Sequence, residues 1–152
     1  DSAWTSLRSF KPLPHRLEIF HRWRGITFVD DSKSTTPSST LEAVFSFHDP
    51  VRLILGGRGK GADFHVLRAM KKRDVLEIFV IGETREILID TLGDIFPVTS
   101  ADSLQEATAL AIRHAKSGDV ILLSPACASF DMFESFKARG EAFKSAVQQI
   151  AA

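Results

Sequence analysis

Residues 51–63 read VRLILGGRGKGAD, a mainly apolar run followed by a loop with four glycines between positions 56 and 61. Such a run is too short for a helix and predicts a buried strand, while the glycines predict a turn at its end. Comparable runs occur at 78–81, 96–98 and 120–123, with helical patterns between them. Strands that alternate with helices predict a mostly parallel sheet with helices on both faces.

The sheet begins with a different pattern. Residues 16–23 and 26–30 alternate between apolar and polar side chains on either side of Arg24-Gly25, which predicts a β-hairpin. Together with the later runs, this hairpin predicts an α/β fold with about six strands. The segment 11–14, which contains two prolines, is typical of a connector. We therefore expect a linker over 1–14 and one domain over 15–152.

Two helix boundaries are predicted from local patterns. Asp102 and Gln105 have the spacing of a capping box, so we expect a helix with Asp102 at its N-cap and Gly118 at its end. A last helix is expected to begin near Met132 and to carry Phe136 and Phe143 on its apolar face.

Composition excludes several classes of function. The 152 residues carry 19 Lys+Arg and 19 Asp+Glu, so we expect no basic surface for nucleic acid or an anionic membrane. Cys127 is the single cysteine, which excludes an internal disulfide, and the histidine spacing predicts no metal site. No apolar run reaches the roughly 18–20 residues of a membrane span, and no signal peptide is recognised. We expect a soluble, cytoplasmic monomer.

Three loops that follow predicted strands carry unusual side chains, and ligands of parallel sheets bind beyond the carboxyl ends of the strands. The first loop, DDSKSTTP at 30–37, combines carboxylates, an ammonium group and hydroxyls at the start of a helix. Free N–H groups at such a helix start favour an anion. The alternative is that Thr35 or Thr36 caps the helix and that the charges around it are solvated.

The second and third loops also allow two interpretations each. The loop at 56–63 lacks both the P-loop and the G-x-G-x-x-G spacing, so it either approaches a ligand closely or forms a flexible turn with two solvated cations. In the third loop, SPACASFD at 124–131, Cys127 fits a packing residue better than a nucleophile. Ser129 fits a hydrogen-bond donor or a helix cap better than a hydrolase nucleophile, because G-x-S-x-G is absent.

Four motifs occur in a fixed order: LPHRLE at 13–18, DSKST at 31–35, LGGRGKGADF at 55–64 and SPACASFD at 124–131. This series is similar to the C-terminal domain of the Mur ligases from about residue 7 onwards, and RGEAF at 139–143 adds to the likeness. The resemblance implies a Rossmann-like α/β domain. The series Asp31-Ser32-Lys33 resembles the D-glutamate-adding member, whereas Thr36-Pro37 is similar to the sister ligases.

The resemblance implies an ATP-dependent ligase of peptidoglycan biosynthesis that joins D-glutamate to UDP-N-acetylmuramoyl-L-alanine. ATP phosphorylates a carboxylate of the substrate, and the amino group of D-glutamate then attacks the acyl phosphate. In such ligases an N-terminal domain holds the UDP-sugar, and a central domain holds the P-loop and the ligands of Mg²⁺. Both domains are expected outside this chain, so the chain by itself is expected to be inactive.

The resemblance also assigns residues to two sides of a site. The nucleotide side consists of His15, Arg16, Asp31 and Lys33, and Lys33 is also the expected catalytic residue because an ammonium group stabilises negative charge on phosphate. The D-glutamate side consists of Thr35, Lys60, Ser129, the Phe130 backbone and Phe136.

Two other functions remain open at the level of the sequence. The chain could be the domain of a sister Mur ligase or of a folylpolyglutamate-type ligase that takes another amino acid. It could also be a non-catalytic module that binds an anion or an amino acid. A native gene of about 450 residues with an upstream GK[ST] loop distinguishes a ligase from such a module.

Overall fold

A hairpin forms one edge of the sheet in the computed structural model, which describes residues 13–59 and 61–152. Its strands, β1 (Glu18–Trp23) and β2 (Ile26–Asp30), are antiparallel, as predicted. β1 begins two residues later than predicted, because His15 and Leu17 have φ angles of 66° and 46°, which are incompatible with an extended strand. Most of the predicted linker and Lys60 lie outside the described residues.

Helices and strands alternate after the hairpin. The remaining elements are α1 (Pro37–Phe45), β3 (Val51–Gly56), a 3₁₀ helix (Phe64–Ala69), β4 (Val75–Ile81), α2 (Arg85–Leu92), β5 (Val98–Ser100), α3 (Leu104–His114), β6 (Val120–Leu123) and α4 (Phe136–Ile150). The six strands lie in the order β1-β2-β6-β3-β4-β5, and each pair other than β1–β2 is parallel. The predicted α/β class, hairpin and strand number are confirmed.

Helices cover both faces of the sheet, as expected for a buried parallel sheet. On one face α1, the 3₁₀ helix and α2 contribute Val44, Leu67 and Leu88 to a buried cluster. On the other face α3 and α4 contribute Ala107 and Phe143 to a second buried cluster. No helix in the described part of the chain is both long and apolar enough to cross a bilayer.

Four further predicted boundaries are wrong. The strand predicted at 96–98 begins at Val98, because the N–H of Phe96 instead donates to the carbonyl of Leu92 at the end of α2. Ser103 rather than Asp102 caps α3, and this helix ends at His114, before the turn that contains Gly118. α4 begins at Phe136 after the cap residue Ser135, because residues 129–133 form a tight turn closed by backbone hydrogen bonds to the carbonyl of Ser129.

The capping box of α3 therefore lies one residue further along the chain than predicted. The Ser103 hydroxyl accepts from the N–H of Glu106 at 3.0 Å, and the Glu106 carboxylate accepts from the N–H of Asp102 at 2.8 Å. The Ser103 backbone is extended, with φ −151° and ψ 165°, as an N-cap requires.

We predict that Ser103→Ala lowers the free energy of unfolding by about 1 kcal/mol, because the N–H of Glu106 loses its acceptor. Gln105→Ala is the matched control, since Gln105 is exposed in the same helical turn and takes no part in the observed cap. Urea unfolding of the chain measures both variants. Equal losses in the two variants would contradict the assignment of the cap to Ser103.

Candidate functional site

The three loops with unusual side chains meet at one edge of the sheet. They follow β2, β6 and β3, which are neighbours in the sheet with parallel β6 in the middle. The N–H of Ala126 donates to the carbonyl of Ser34 at 3.1 Å, and the N–H of Gly56 donates to the carbonyl of Pro125 at 2.9 Å. The loop after β6 is therefore hydrogen-bonded to both of its neighbours, and the expected convergence of the loops is confirmed.

The glycine loop is fixed where it leaves β3. Arg58 and Ala128 exchange backbone hydrogen bonds of 2.9 and 3.1 Å in a short antiparallel bridge. Gly57 has φ +140°, and a Cβ at this position would lie 2.4 Å from the carbonyl oxygen of Ala128. Only glycine permits both this φ and this close approach. The backbone at residues 57 and 58 is therefore not a flexible turn. The Arg58 side chain is 47% exposed and pairs with Glu83 at 3.3 Å at the surface, which agrees with the prediction of a solvated cation.

Asp31 lies buried between the first and third loops, with 1% of its surface exposed. Its Oδ1 accepts from the N–H of Leu17 at 3.0 Å, and its Oδ2 accepts from the hydroxyls of Ser34 and Ser124 at 2.5 and 2.7 Å. Burial raises the pKa of Asp31 above its ordinary value, and these donors oppose that increase. The carboxyl group thus ties the loop after β2 to β6 and to the segment before β1.

Two cavities flank Lys33. The first, of about 310 Å³, is lined by Arg16, Leu17, Asp31, Lys33 and Ser34 together with residues of α1. The second, of about 410 Å³, is lined by Leu13, Pro14, His15, Lys33, Phe136 and Lys137. Lys33 belongs to the walls of both cavities, so the two cavities meet at this residue.

His15 is held rigidly beside the second cavity. Its Nδ1 lies 2.6 Å from Oδ2 of the fully buried Asp30, and its ring meets Phe136 edge-on with the ring centres 6.2 Å apart. The His15 carbonyl accepts from the N–H of Lys33 at 3.0 Å, which stabilises the unusual φ of 66°. Backbone strain of this kind is concentrated at functional sites. The structure therefore places His15 with Phe136 rather than in the cavity that contains Arg16.

Three other predicted site residues that the structure describes do not line these two cavities. Thr35 is exposed, Ser129 is buried, and Phe130 is 60% exposed in the loop after β6. Lys60 lies outside the described residues, so its predicted contact with a carboxylate stays a prediction. The structure thus brings His15, Lys33 and Phe136 together, and it leaves the Thr35 and Ser129 assignments untested.

The capping interpretation of the first loop is confirmed for one threonine. The Thr36 hydroxyl accepts from the N–H of Ser39 at 3.2 Å, and Pro37 occupies the first turn of α1. Capping and the predicted ligand contacts therefore fall on different residues of the same loop. Thr36-Pro37 has a structural role at the start of α1.

Reasoning from the sequence assigned no role to Arg139, which lies on α4 and is 1% exposed. Its Nη2 donates to the Ser32 carbonyl at 2.7 Å and its Nη1 donates to the Cys127 carbonyl at 3.0 Å. Burial lowers the pKa of Arg139 to about 10, so the guanidinium stays charged at neutral pH. The sequence could have indicated a role for Arg139, because this residue interrupts the apolar face of the helix between Phe136 and Phe143.

One group of side chains in the described part of the chain has the spacing of metal ligands: His15, Glu18 and Asp30. However, Lys144 Nζ donates to both carboxylate oxygens of Glu18, at 2.9 and 2.8 Å, and lies 4.0 Å from Oδ2 of Asp30. The ammonium group supplies the positive charge of this cluster. The cluster therefore does not fit Mg²⁺, which requires octahedral oxygen ligands and retains several waters.

The chain belongs to the Mur ligase family, because residues 15–127 match the model of the Mur ligase glutamate ligase domain. It is 46% identical over 140 residues to the UDP-N-acetylmuramoylalanine–D-glutamate ligase of Aquifex aeolicus, an alignment that covers 91% of this chain and 34% of that enzyme. The enzyme of the same name from Syntrophus aciditrophicus is 42% identical, with 99% and 33% covered. The chain thus spans about a third of the length of these relatives.

Solved structures of related enzymes share the fold. A murein peptide ligase from Psychrobacter arcticus superimposes with a TM-score of 0.66 at 15% identity, covering 97% of this chain and 33% of that one. Escherichia coli FolC in complex with ADP gives 0.64 at 19% identity, with 92% and 33% covered. The predicted Rossmann-like fold and the family resemblance are both confirmed.

Cys127 is a packing residue, as the sequence indicated. It is 1% exposed, and its Sγ lies 3.6 Å from Oγ1 of Thr84. Burial raises the pKa of the Cys127 thiol to about 11, although the hydrogen bond with Thr84 and the charge of Arg139 oppose this increase. A neutral, buried thiol is a poor nucleophile.

We predict that the free energy of unfolding falls more steeply between pH 9 and pH 11 for the wild-type chain than for Cys127→Ala. The thiol of the unfolded chain loses its proton first, so in this range the native state binds more protons and rising pH favours unfolding. Once pH exceeds both values, the difference between the thiol pKa of the folded and the unfolded chain corresponds to a loss of about 2–3 kcal/mol in the free energy of unfolding. Urea unfolding at a series of pH values measures the difference, and parallel curves for the two proteins would contradict it.

Proposed function

We propose that this chain is the C-terminal domain of an ATP-dependent ligase that joins D-glutamate to UDP-N-acetylmuramoyl-L-alanine in peptidoglycan biosynthesis. The observation that carries the proposal is the position of Lys33 in the walls of both cavities. One cavity offers Arg16 and Asp31 to a nucleotide, and the other offers His15 and Phe136. An ammonium group between them suits a reaction in which a phosphoryl group passes from ATP to a carboxylate.

The first cavity fits part of a nucleotide. The planar fork of Arg16 can bind phosphate oxygens in pairs, and Lys33 can act on them as a point charge. Asp31 Oδ1 accepts one hydrogen bond, from Leu17, and a carboxylate oxygen can accept two, so it retains capacity for a ribose hydroxyl. FolC, which shares this fold, has been solved with ADP. We place the P-loop and the ligands of Mg²⁺ in the part of the ligase outside this chain.

The chemistry that we propose has two steps. The terminal phosphoryl group of ATP first passes to the substrate carboxylate, which leaves ADP. The neutral amine of D-glutamate then forms a bond to the carbonyl carbon, and the bond from that carbon to the phosphate oxygen breaks. The nitrogen releases one proton to solvent and keeps one N–H in the amide. Lys33 stabilises the negative charge on the transferred phosphoryl group and on the leaving phosphate, and such electrostatic stabilisation is commonly the largest contribution to catalysis.

D-Glutamate has two carboxylates and one amine, and the amine must stay free to attack. We assign the carboxylates to Thr35, Lys60, Ser129 and the Phe130 backbone, with Phe136 as an apolar wall. Thr36-Pro37 begins α1 and lines neither cavity, so its likeness to the sister ligases does not argue for another amino acid.

The chain is proposed to act together with the N-terminal and central domains of its own ligase, as a cytoplasmic monomer. The UDP-sugar and the remaining phosphate contacts are assigned to those domains. No nucleic acid or membrane partner is proposed, because the formal net charge of the chain is zero.

We predict that the full-length ligase releases ADP from ATP and UDP-N-acetylmuramoyl-L-alanine only when D-glutamate is added. D-Glutamine should be a much poorer substrate, because its amide replaces a carboxylate that Lys60 is proposed to neutralise. A coupled assay for ADP measures turnover, with L-lysine and meso-diaminopimelate as competing amino acids and the 152-residue chain as an inactive control. A preference for either competitor, or turnover by the chain alone, would contradict the proposal.

In the full-length ligase, a substitution on the nucleotide side of the site should change kcat, and substitutions on the D-glutamate side should change the KM for D-glutamate. Lys33→Ala should lower kcat by about 10²–10³-fold with little change in the KM for D-glutamate, by analogy with the loss of an oxyanion-hole donor. Ser129→Ala and Lys60→Ala should each raise the KM for D-glutamate by about 10–150-fold and leave that for ATP unchanged. Steady-state kinetics with each substrate varied in turn decides between the two patterns, and an unchanged kcat for Lys33→Ala would move Lys33 to the amino-acid side.

A further inference from the structure

We infer that Arg139 is a positioning residue that sets the distance between two loops of the site. One loop, at 31–35, carries Lys33, and the other, at 124–131, carries Ser129. The guanidinium group of Arg139 joins the carbonyl of Ser32, which directly precedes Lys33, to the carbonyl of Cys127, two residues before Ser129. This inference rests on the proposed function for the roles of Lys33 and Ser129. The junction itself is a feature of the described structure.

The guanidinium group lies where all three loops meet. A Cβ on Gly57, in the glycine loop, would lie 3.4 Å from Nη1 of Arg139, so this nitrogen is also next to the loop that follows β3. The two carbonyl oxygens are bound at 2.7 and 3.0 Å by two different nitrogens of one planar group. A planar fork with fixed donors defines both the distance and the angle between its acceptors.

Burying this charge is costly, which indicates that it does more than fill space. No carboxylate lies within 4.0 Å of Arg139 in the described part of the chain, and its Nε has no hydrogen-bond partner there. Asp131 and Asp30 act on it only at longer range. A buried cation with incomplete compensation commonly destabilises a fold relative to an apolar side chain of similar size. An apolar residue would also continue the buried face of α4 between Phe136 and Phe143.

The loops do not require Arg139 simply to stay together. Ala126 already donates to the Ser34 carbonyl at 3.1 Å, and the Ser124 hydroxyl donates to Asp31 at 2.7 Å. These contacts hold the two loops together close to the ends of β2 and β6. Arg139 instead binds the carbonyl one residue before Lys33 and the carbonyl two residues before Ser129. A displacement of about 1 Å at such a position can cost roughly 10²-fold in rate.

The test uses Arg139→Lys and Arg139→Met in the full-length ligase, with Arg113→Met as control because Arg113 is exposed on α3. Lysine keeps the charge but reaches one carbonyl at a time, and methionine removes both hydrogen bonds. We expect kcat/KM for ATP and for D-glutamate to fall together, by about 10-fold in Arg139→Lys and about 10²-fold in Arg139→Met. Arg113→Met should leave both values unchanged.

A purely structural role predicts a different pattern. The melting temperature would then fall while the folded enzyme kept both kcat/KM values, and this result would overturn the inference. A fall in only one of the two kcat/KM values would overturn it as well, because the two loops would then move independently. Should Arg139→Met fail to fold, Arg139→Lys alone decides, since it retains the charge and most of the volume.

Hydrogen exchange of the same variants separates this inference from the proposed function. Exchange in peptides that cover 31–35 and 126–130 should accelerate in Arg139→Lys relative to the wild-type and Arg113→Met ligases, while exchange in β3 and β4 stays unchanged. A wild-type enzyme without ligase activity would refute the proposed function, and the exchange data would still decide the role of Arg139. Unchanged exchange in both loops would overturn the inference.

Discussion

The parallel pairing of β6 between β2 and β3 is the constraint on which the site depends. The chain forms β3, β4 and β5 before it returns to place β6 in the gap beside β2. Only this arrangement brings the ends of β2, β6 and β3 side by side, because the strands run in the same direction and their loops emerge at one edge. The loops that begin after these three strands are therefore brought together without any one of them being long.

Buried polar groups fix what the strand order brings together. Asp31 accepts hydrogen bonds from two hydroxyls and one N–H, and Arg139 donates hydrogen bonds to two carbonyls. These hydrogen bonds connect the loops after β2 and β6 to each other and to α4. Both charges are costly to bury, and each is offset by hydrogen bonds rather than by a direct ion pair. The same hydrogen bonds fix the backbone beside Lys33, which both cavities share. Rigidity at this point suits a reaction in which positioning and electrostatics dominate.

Particular contacts explain the differences between the sequence predictions and the structure. Asp102 and Ser103 are both good caps, and the choice between them depends on which residue adopts an extended backbone at the start of α3. The start of β1 depends on the positive φ of His15 and Leu17, which the hydrogen bonds to Lys33 and Asp31 stabilise. Contacts of this kind join residues 14 to 18 positions apart, so no short window of sequence contains them.

By itself the sequence determined the α/β class, the hairpin, the three loops and the family, because the periodicity of apolar residues and the order of the motifs are local properties of the chain. The packing role of Cys127 also followed from its small neighbours. Only the tertiary structure decided the place of β6, the sharing of Lys33 between two cavities, and the role of Arg139. These features depend on which strands pair and which side chains lose their contact with water, and both are settled only when distant parts of the chain compete for the same neighbours.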